Sequence, residues 1–141
     1  MKKIFVCMFV WMFAFGSISS GAVDVSDNAS FLKQKVEVYY FHFTRRCITC
    51  KAVETQTKSA LEEFYADQIK NGLVEFFEVN LDDKNSKKAV AKAKAEGQGL
   101  IFMKGESRVD LTTQAFMYAV SNPEKLKQEI KKVVDSMLNI Q

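Results

Sequence analysis

The apolar residues of the chain follow two different periods, and each period predicts a different kind of element. Residues 36–43 form a nearly unbroken run of aromatic and β-branched side chains, which is typical of a strand covered on both faces. From Cys47 onwards, apolar residues instead recur every three or four positions as far as about residue 70. This spacing predicts an amphipathic helix that carries Glu54 and Lys58 on its polar side and ends at Asn71-Gly72.

The rest of the pattern predicts that strands and helices continue to alternate. The predicted segments are a strand over residues 73–81, a helix over 82–95, two short strands over 100–103 and 108–111, a helix over 112–120, and a final helix that Asn122 caps and Pro123 begins. The resulting order, β-α-β-α-β-β-α, predicts an α/β domain with a central mixed sheet flanked by helices.

The first residues have the layout of a secretory signal peptide. Lys2 and Lys3 precede an apolar run over residues 4–15, and small residues follow up to a cleavage site predicted at Ser20-Gly21-Ala22. The run has 12 residues, whereas a spanning helix needs roughly 20, so an uncleaved anchor is the less favoured alternative. We therefore predict a signal peptide over 1–22, a linker over 23–35 and one domain over 36–141, exported to the periplasm or cell envelope without stable membrane insertion.

Cysteine content and charge narrow the function classes. Of the three cysteines, Cys7 lies in the predicted signal peptide, which leaves Cys47 and Cys50 in the exported chain. A bond between them would close a very short loop and would stabilise the fold by only about 2 kcal/mol, so a purely structural staple is a poor explanation. Loss of Lys2 and Lys3 lowers the formal net charge from +3 to +1. The chain therefore has no global electrostatic reason to bind nucleic acid.

Two further explanations of the C-x-x-C pair fit the sequence poorly. Haem attachment requires a histidine directly after the second cysteine, and Lys51 stands there. A structural zinc site needs four ligands, but the exported chain offers only the two cysteines and its single histidine, His42. A soft metal such as Cu(I), held by two thiolates alone, remains an alternative. No cofactor and no resident metal are expected.

The placement of the pair favours redox chemistry. Cys47 lies where the first strand gives way to the first helix, and unpaired backbone N–H groups at a helix start favour a thiolate. Arg45 and Arg46 precede it and would add positive charge. Cys50, one turn further along on the apolar side, would be less accessible. His42 could shuttle the proton of Cys50 or hydrogen-bond a neighbouring backbone group.

The element order together with "CITC" resembles the thioredoxin superfamily from residue 36 to the C-terminus. More narrowly, "VEVYYFHFTRRCITCKAVE" resembles small exported thioredoxin-like proteins labelled as nitrophenyl compound nitroreductase subunits. The resemblance implies a monomeric thiol–disulfide exchange module in which Cys47 attacks and Cys50 resolves. It also implies dithiol or disulfide proteins as partners, a membrane thiol reductase among them.

Two positions depart from the thioredoxin pattern. Gly97-Gln98-Gly99 stands where thioredoxins carry a cis-proline before the third strand, so we expect a trans loop shaped by glycine. Phe41 stands six residues before Cys47, where many thioredoxins place a buried acid. The dipeptide between the cysteines does not specify the direction of electron flow. Two alternatives to an oxidoreductase stay open: a non-catalytic subunit of a larger reductase, and a copper carrier.

Overall fold

The structure, a computed structural model, describes residues 34–140. The predicted signal peptide and nearly all of the predicted linker lie outside these residues. The described helices and strands are β1 (Val36–His42), α1 (Ile48–Lys70), β2 (Val74–Asn80), α2 (Lys87–Ala93), β3 (Gly99–Lys104), β4 (Ser107–Asp110), α3 (Thr112–Tyr118) and α4 (Pro123–Leu138). Their order confirms the predicted α/β fold class.

The four strands form one mixed sheet in the order β2-β1-β3-β4. β1 runs parallel to β2 and antiparallel to β3, and β3 and β4 form the predicted hairpin. Phe41 near the end of β1 lies opposite Gly99 at the start of β3. The chain that leads from β1 to the cysteines and the chain that enters β3 therefore meet at the same edge of the sheet.

The central strand β1 is buried on both faces, as its continuous apolar run predicted. Val36, Val38 and Tyr40 pack in one cluster with residues of α1, α3 and α4. Tyr39 and Phe41 pack in a second cluster that includes residues of α2. Because helices cover both faces, the end of β1 has little freedom to move, and the loop that follows it starts from a rigid support.

The helix predicted over residues 82–95 is shorter than the sequence indicated. Asp83 caps a single 3-10 turn over Lys84–Ser86, and α2 begins only after it. The helix stops at Ala93 because Lys94 adopts a left-handed conformation with φ of 49°. The predicted segment was therefore too long at both ends.

The C-terminal helix follows its prediction closely. Asn122 caps α4 by accepting a hydrogen bond from the backbone N–H of Lys125, and Pro123 lies in its first turn. Tyr65 connects α1 to α4, because its hydroxyl lies 2.6 Å from a carboxylate oxygen of Asp135. The backbone of α1 departs from helical geometry at Tyr65 itself, where φ is −134°. Across residues 34–140, each helix is too short or too polar to cross a membrane.

Candidate redox site

Cys47 and Cys50 lie at the start of α1 with their sulfur atoms at bonding distance, and their Cα atoms are 5.1 Å apart. Cys47 is exposed, whereas Cys50 is 5% exposed. An incoming sulfur can therefore reach Cys47 more readily than Cys50. This difference agrees with the roles predicted for the two cysteines, which themselves stay predictions.

The first turn of α1 donates a hydrogen bond to the Cys47 sulfur. Cys47 is the N-cap residue, with extended backbone angles, and its Sγ accepts a hydrogen bond of 3.1 Å from the backbone N–H of Cys50. No acidic residue lies in this turn. The unpaired N–H groups and the positive end of the helix dipole therefore act on Cys47 without a nearby opposing carboxylate in the turn, which favours its thiolate.

Tyr40 holds the cysteine turn against the sheet. Its side chain is fully buried, and its hydroxyl donates a hydrogen bond of 2.6 Å to the backbone carbonyl of Cys50. Burial raises the pKa of Tyr40 to about 12, so the hydroxyl stays protonated and remains a donor at neutral pH. Tyr40 is not among the site residues predicted from the sequence, although its place on the same face of β1 as His42 could have indicated it.

Arg46, directly before Cys47, is the centre of a charged cluster that the sequence did not predict. Its guanidinium pairs with the carboxylates of Glu54 on α1 and Glu78 on β2 and also contacts His42. Lys58 lies 2.5 Å from a carboxylate oxygen of Glu54 and 3.2 Å from one of Glu78. We call these five residues the Arg46 cluster. Its two cations and two carboxylates compensate each other.

The helical period placed Glu54 and Lys58 on the polar side of α1, and the structure shows that both side chains form ion pairs there. The side chain of Glu54 is only 16% exposed. Glu54 also lies four residues after Cys50, so the Arg46 cluster includes a residue about one helical turn from the buried cysteine.

His42 is 5% exposed and both of its ring nitrogens have partners. Nδ1 lies 2.9 Å from the carbonyl oxygen of Phe43, and Nε2 lies 2.6 Å from Nη2 of Arg46. Nδ1 also accepts a hydrogen bond of 3.1 Å from Nε of Arg46, and Nε2 lies 3.3 Å from a carboxylate oxygen of Glu78, so the ring is held by the Phe43 carbonyl, Arg46 and Glu78 together. The sequence left two roles open for His42, and the contact with the Phe43 carbonyl is the hydrogen bond to a neighbouring backbone group that one of them predicted. Nε2 is occupied by Arg46 and is therefore not open to Cys50.

Arg45 differs from Arg46 in its surroundings. Its side chain is exposed and makes no ion pair with any residue in the range 34–140. The residue before it is fixed, because the backbone N–H of Thr44 donates a hydrogen bond of 2.8 Å to Asp82. This bond lowers the pKa of Asp82. The loop is thus attached on both sides of Arg45, and an electrostatic effect of either arginine on Cys47 stays a prediction.

The loop over Gly97-Gln98-Gly99 lies at the same edge of the sheet as the cysteine turn. All peptide bonds of the described residues are trans. A Cβ at Gly99 would lie 2.3 Å from Oγ1 of Thr112, whereas a Cβ at Gly97 would meet nothing within 4 Å. Glycine is therefore required by close packing at Gly99 and not at Gly97. Gln98 is exposed, and its predicted supporting role is not tested by these contacts.

The described part of the chain offers few metal ligands in one place. Within residues 34–140, no three histidine, cysteine, aspartate or glutamate side chains are grouped so that they could hold a metal ion. A soft metal held by the two cysteines alone would not need such a group.

No family model and no curated protein matches the chain. Among solved structures, Trxlp from Edwardsiella tarda EIB202 is 17% identical, with a TM-score of 0.46 over 76% of this chain and 92% of that one. The germline-specific thioredoxin Deadhead from Drosophila melanogaster is also 17% identical, with a TM-score of 0.44 over 76% of this chain and 89% of that one. A structure described as a malarial protein is 20% identical, with a TM-score of 0.37 over 59% of this chain and 93% of that one. At these identities the similarity concerns the fold and says nothing of activity.

The observed fold and the bonded C-x-x-C pair at a strand-to-helix junction indicate a redox role for this edge of the sheet. The narrower resemblance to nitroreductase subunits stays a prediction.

Proposed function

We propose that the protein is an exported thiol–disulfide oxidoreductase that uses Cys47 and Cys50 to exchange electrons with other proteins. The observation that carries the proposal is the asymmetry of the pair: an exposed cysteine at a helix N-terminus is bonded to a buried one. A purely structural bond would gain nothing from exposing one sulfur, whereas exchange requires that one sulfur be reachable.

In the reduced protein, the Cys47 thiolate attacks one sulfur of a partner disulfide. A mixed disulfide forms, and the other sulfur of the partner leaves as a thiolate that takes up a proton. Cys50 then loses its proton and attacks the Cys47 sulfur. The Cys47–Cys50 disulfide forms and the partner's second sulfur is released, so that the partner gains two electrons and the protein loses two.

The cycle closes when a dithiol protein reduces the Cys47–Cys50 disulfide by the same steps in reverse. A membrane thiol reductase is the class of partner that could supply these electrons outside the cytoplasm. The basic start and apolar run of residues 1–15 support export. The reverse direction, in which the disulfide oxidises a partner dithiol, uses the same atoms.

The test uses the full chain with Cys50→Ser, which leaves Cys47 able to attack but removes the resolving sulfur. We expect this variant to accumulate covalent complexes with partner proteins of the cell envelope, seen on non-reducing gels after free thiols are blocked. Cys47→Ser is the matched control and should trap none, because Cys50, the cysteine that remains in the domain, is buried.

Equal trapping by both variants would contradict the assigned roles of the two cysteines. No trapping by either, with unchanged disulfide exchange on a model peptide, would overturn the enzymatic proposal. In that case a partner complex that survives the double variant Cys47→Ala/Cys50→Ala would identify the protein as a non-catalytic subunit.

A further inference from the structure

Arg46 connects the residue before Cys47 to three separate elements. Its guanidinium contacts His42 at the end of β1, Glu54 on α1 and Glu78 on β2. The side chain is 19% exposed, which is low for arginine on a loop. A residue that spans three elements fixes the position of the backbone that carries it.

We propose that Arg46 is a positioning residue for the redox pair, which holds Cys47 at the tip of α1 through the shape of its guanidinium fork rather than through its charge. This inference rests on the proposed function and extends it to a residue outside the cysteine pair.

The positive charge of Arg46 is compensated by carboxylates within its cluster. Two carboxylates, Glu54 and Glu78, face it, and Lys58 contacts both of them as well. The field that reaches Cys47 from this compensated group is much weaker than that of an isolated cation. The shape of the side chain, in contrast, still matters, because one planar guanidinium donates to two carboxylates and contacts the imidazole at the same time. A lysine ammonium is a point donor on a flexible stem and cannot reproduce that geometry.

The effect reaches the sulfur through the backbone. Arg46 directly precedes the N-cap residue, so its position sets the direction in which Cys47 enters the helix. The 3.1 Å bond from the Cys50 N–H to the Cys47 sulfur depends on that direction. If the loop loosens, the sulfur spends less time among the donors of the helix tip, and its thiolate is less favoured.

The experiment measures the rate at which reduced protein reacts with iodoacetamide between pH 5 and 9, because the alkylation rate follows the Cys47 thiolate. Arg46→Lys keeps the charge and removes the fork, and Arg46→Gln removes both. Arg45→Gln is the matched control, since it removes one positive charge from the same loop and Arg45 makes no ion pair with residues 34–140. All variants carry Cys7→Ser and Cys50→Ser, so that Cys47 is the only thiol, and circular dichroism verifies that each is folded.

We expect Arg46→Lys and Arg46→Gln to slow alkylation at pH 7 to the same extent, by about fivefold. For a thiol that is about half ionised at pH 7, this is the loss of thiolate when the ionisation constant falls about tenfold. Arg45→Gln should slow it by less than about twofold, as a single screened charge does. A wild-type rate in Arg46→Lys would overturn the proposal, and so would an equal loss in Arg45→Gln and Arg46→Gln.

A second variant keeps the test decisive if Arg46 substitutions prevent folding. Glu78→Gln leaves Arg46 in place, removes one of its anchors and makes the site more positive. If Arg46 acts on Cys47 through its charge, Glu78→Gln should speed alkylation. If Arg46 acts by positioning the loop, the same substitution should slow it, so the direction of the change distinguishes the two roles. Since iodoacetamide reports only on the thiolate, these outcomes are independent of whether partner complexes are trapped.

Discussion

Gly99 allows the chain entering β3 to pack directly against Thr112, and Gly99→Ala should destabilise the domain. The added Cβ would lie 2.3 Å from Oγ1 and 3.3 Å from Cγ2 of Thr112. The threonine cannot simply turn away, because it is β-branched and its hydroxyl accepts a hydrogen bond of 3.1 Å from the backbone N–H of Leu100.

The cost has two sources. If Thr112 rotates, the bond from Leu100 is lost, at about 1 kcal/mol. If the backbone moves instead, overpacking costs about 1–3 kcal/mol. We expect the free energy of unfolding to fall by about 2 kcal/mol, which corresponds to a decrease in Tm of about 10 °C for a domain of this size.

Urea unfolding of the oxidised protein, followed by circular dichroism, measures this loss. Gly97→Ala is the matched control in the same loop, because its Cβ would meet nothing within 4 Å and its φ is not in the left-handed region. We expect this control to be neutral or to stabilise the protein by up to about 1 kcal/mol, since alanine restricts the unfolded chain.

A double-mutant cycle with Thr112→Ala isolates the proposed overlap. In that background the two atoms nearest the new methyl group are absent, so Gly99→Ala should cost less than about 0.5 kcal/mol. The overlap between Gly99 and Thr112 is disproved if Gly99→Ala is as stable as the wild type, or if the substitution lowers the free energy of unfolding equally with and without Thr112.

Two further predictions concern the supports of the cysteine turn. Tyr40→Phe removes the buried bond to the Cys50 carbonyl and should lower the free energy of unfolding by about 1 kcal/mol, measured in urea; an unchanged midpoint would contradict this role. Burial alone would raise the pKa of Glu78, but hydrogen bonds from Arg46 and Lys58 lower it to about 2. Because the folded pKa lies below the unfolded one, the stabilisation is present above about pH 4.5 and is lost as the pH falls towards about 2. Unfolding midpoints across this range should fall less in Glu78→Gln than in the wild type, and parallel losses would refute the assignment.

Features that depend on neighbours along the chain could be predicted from the sequence. The apolar run of β1, the period of α1 and the cap of α4 by Asn122 all involve residues within a few positions of each other. The exposed position of Cys47 and the buried position of Cys50 follow from the same short-range pattern, since Cys47 precedes the helix and Cys50 lies on the side that the helical period marks as apolar. The bounds predicted for the helix over 82–95 were wrong. Its C-terminal end was missed because the left-handed conformation of Lys94 does not change the spacing of apolar residues from which the helix was predicted.

The Arg46 cluster, in contrast, was decided by the tertiary structure alone. Arg46 and Glu78 are 32 positions apart, and they meet only because β1 and β2 pair in parallel with His42 opposite Asn80. In the sequence alone, Glu54 and Lys58 are two polar residues of a predicted helix, and Arg46 is one of two adjacent arginines. Pairing of the strands brings one arginine between two carboxylates and leaves the other exposed, because the energy of an ion pair depends on distance in space and not on separation in sequence.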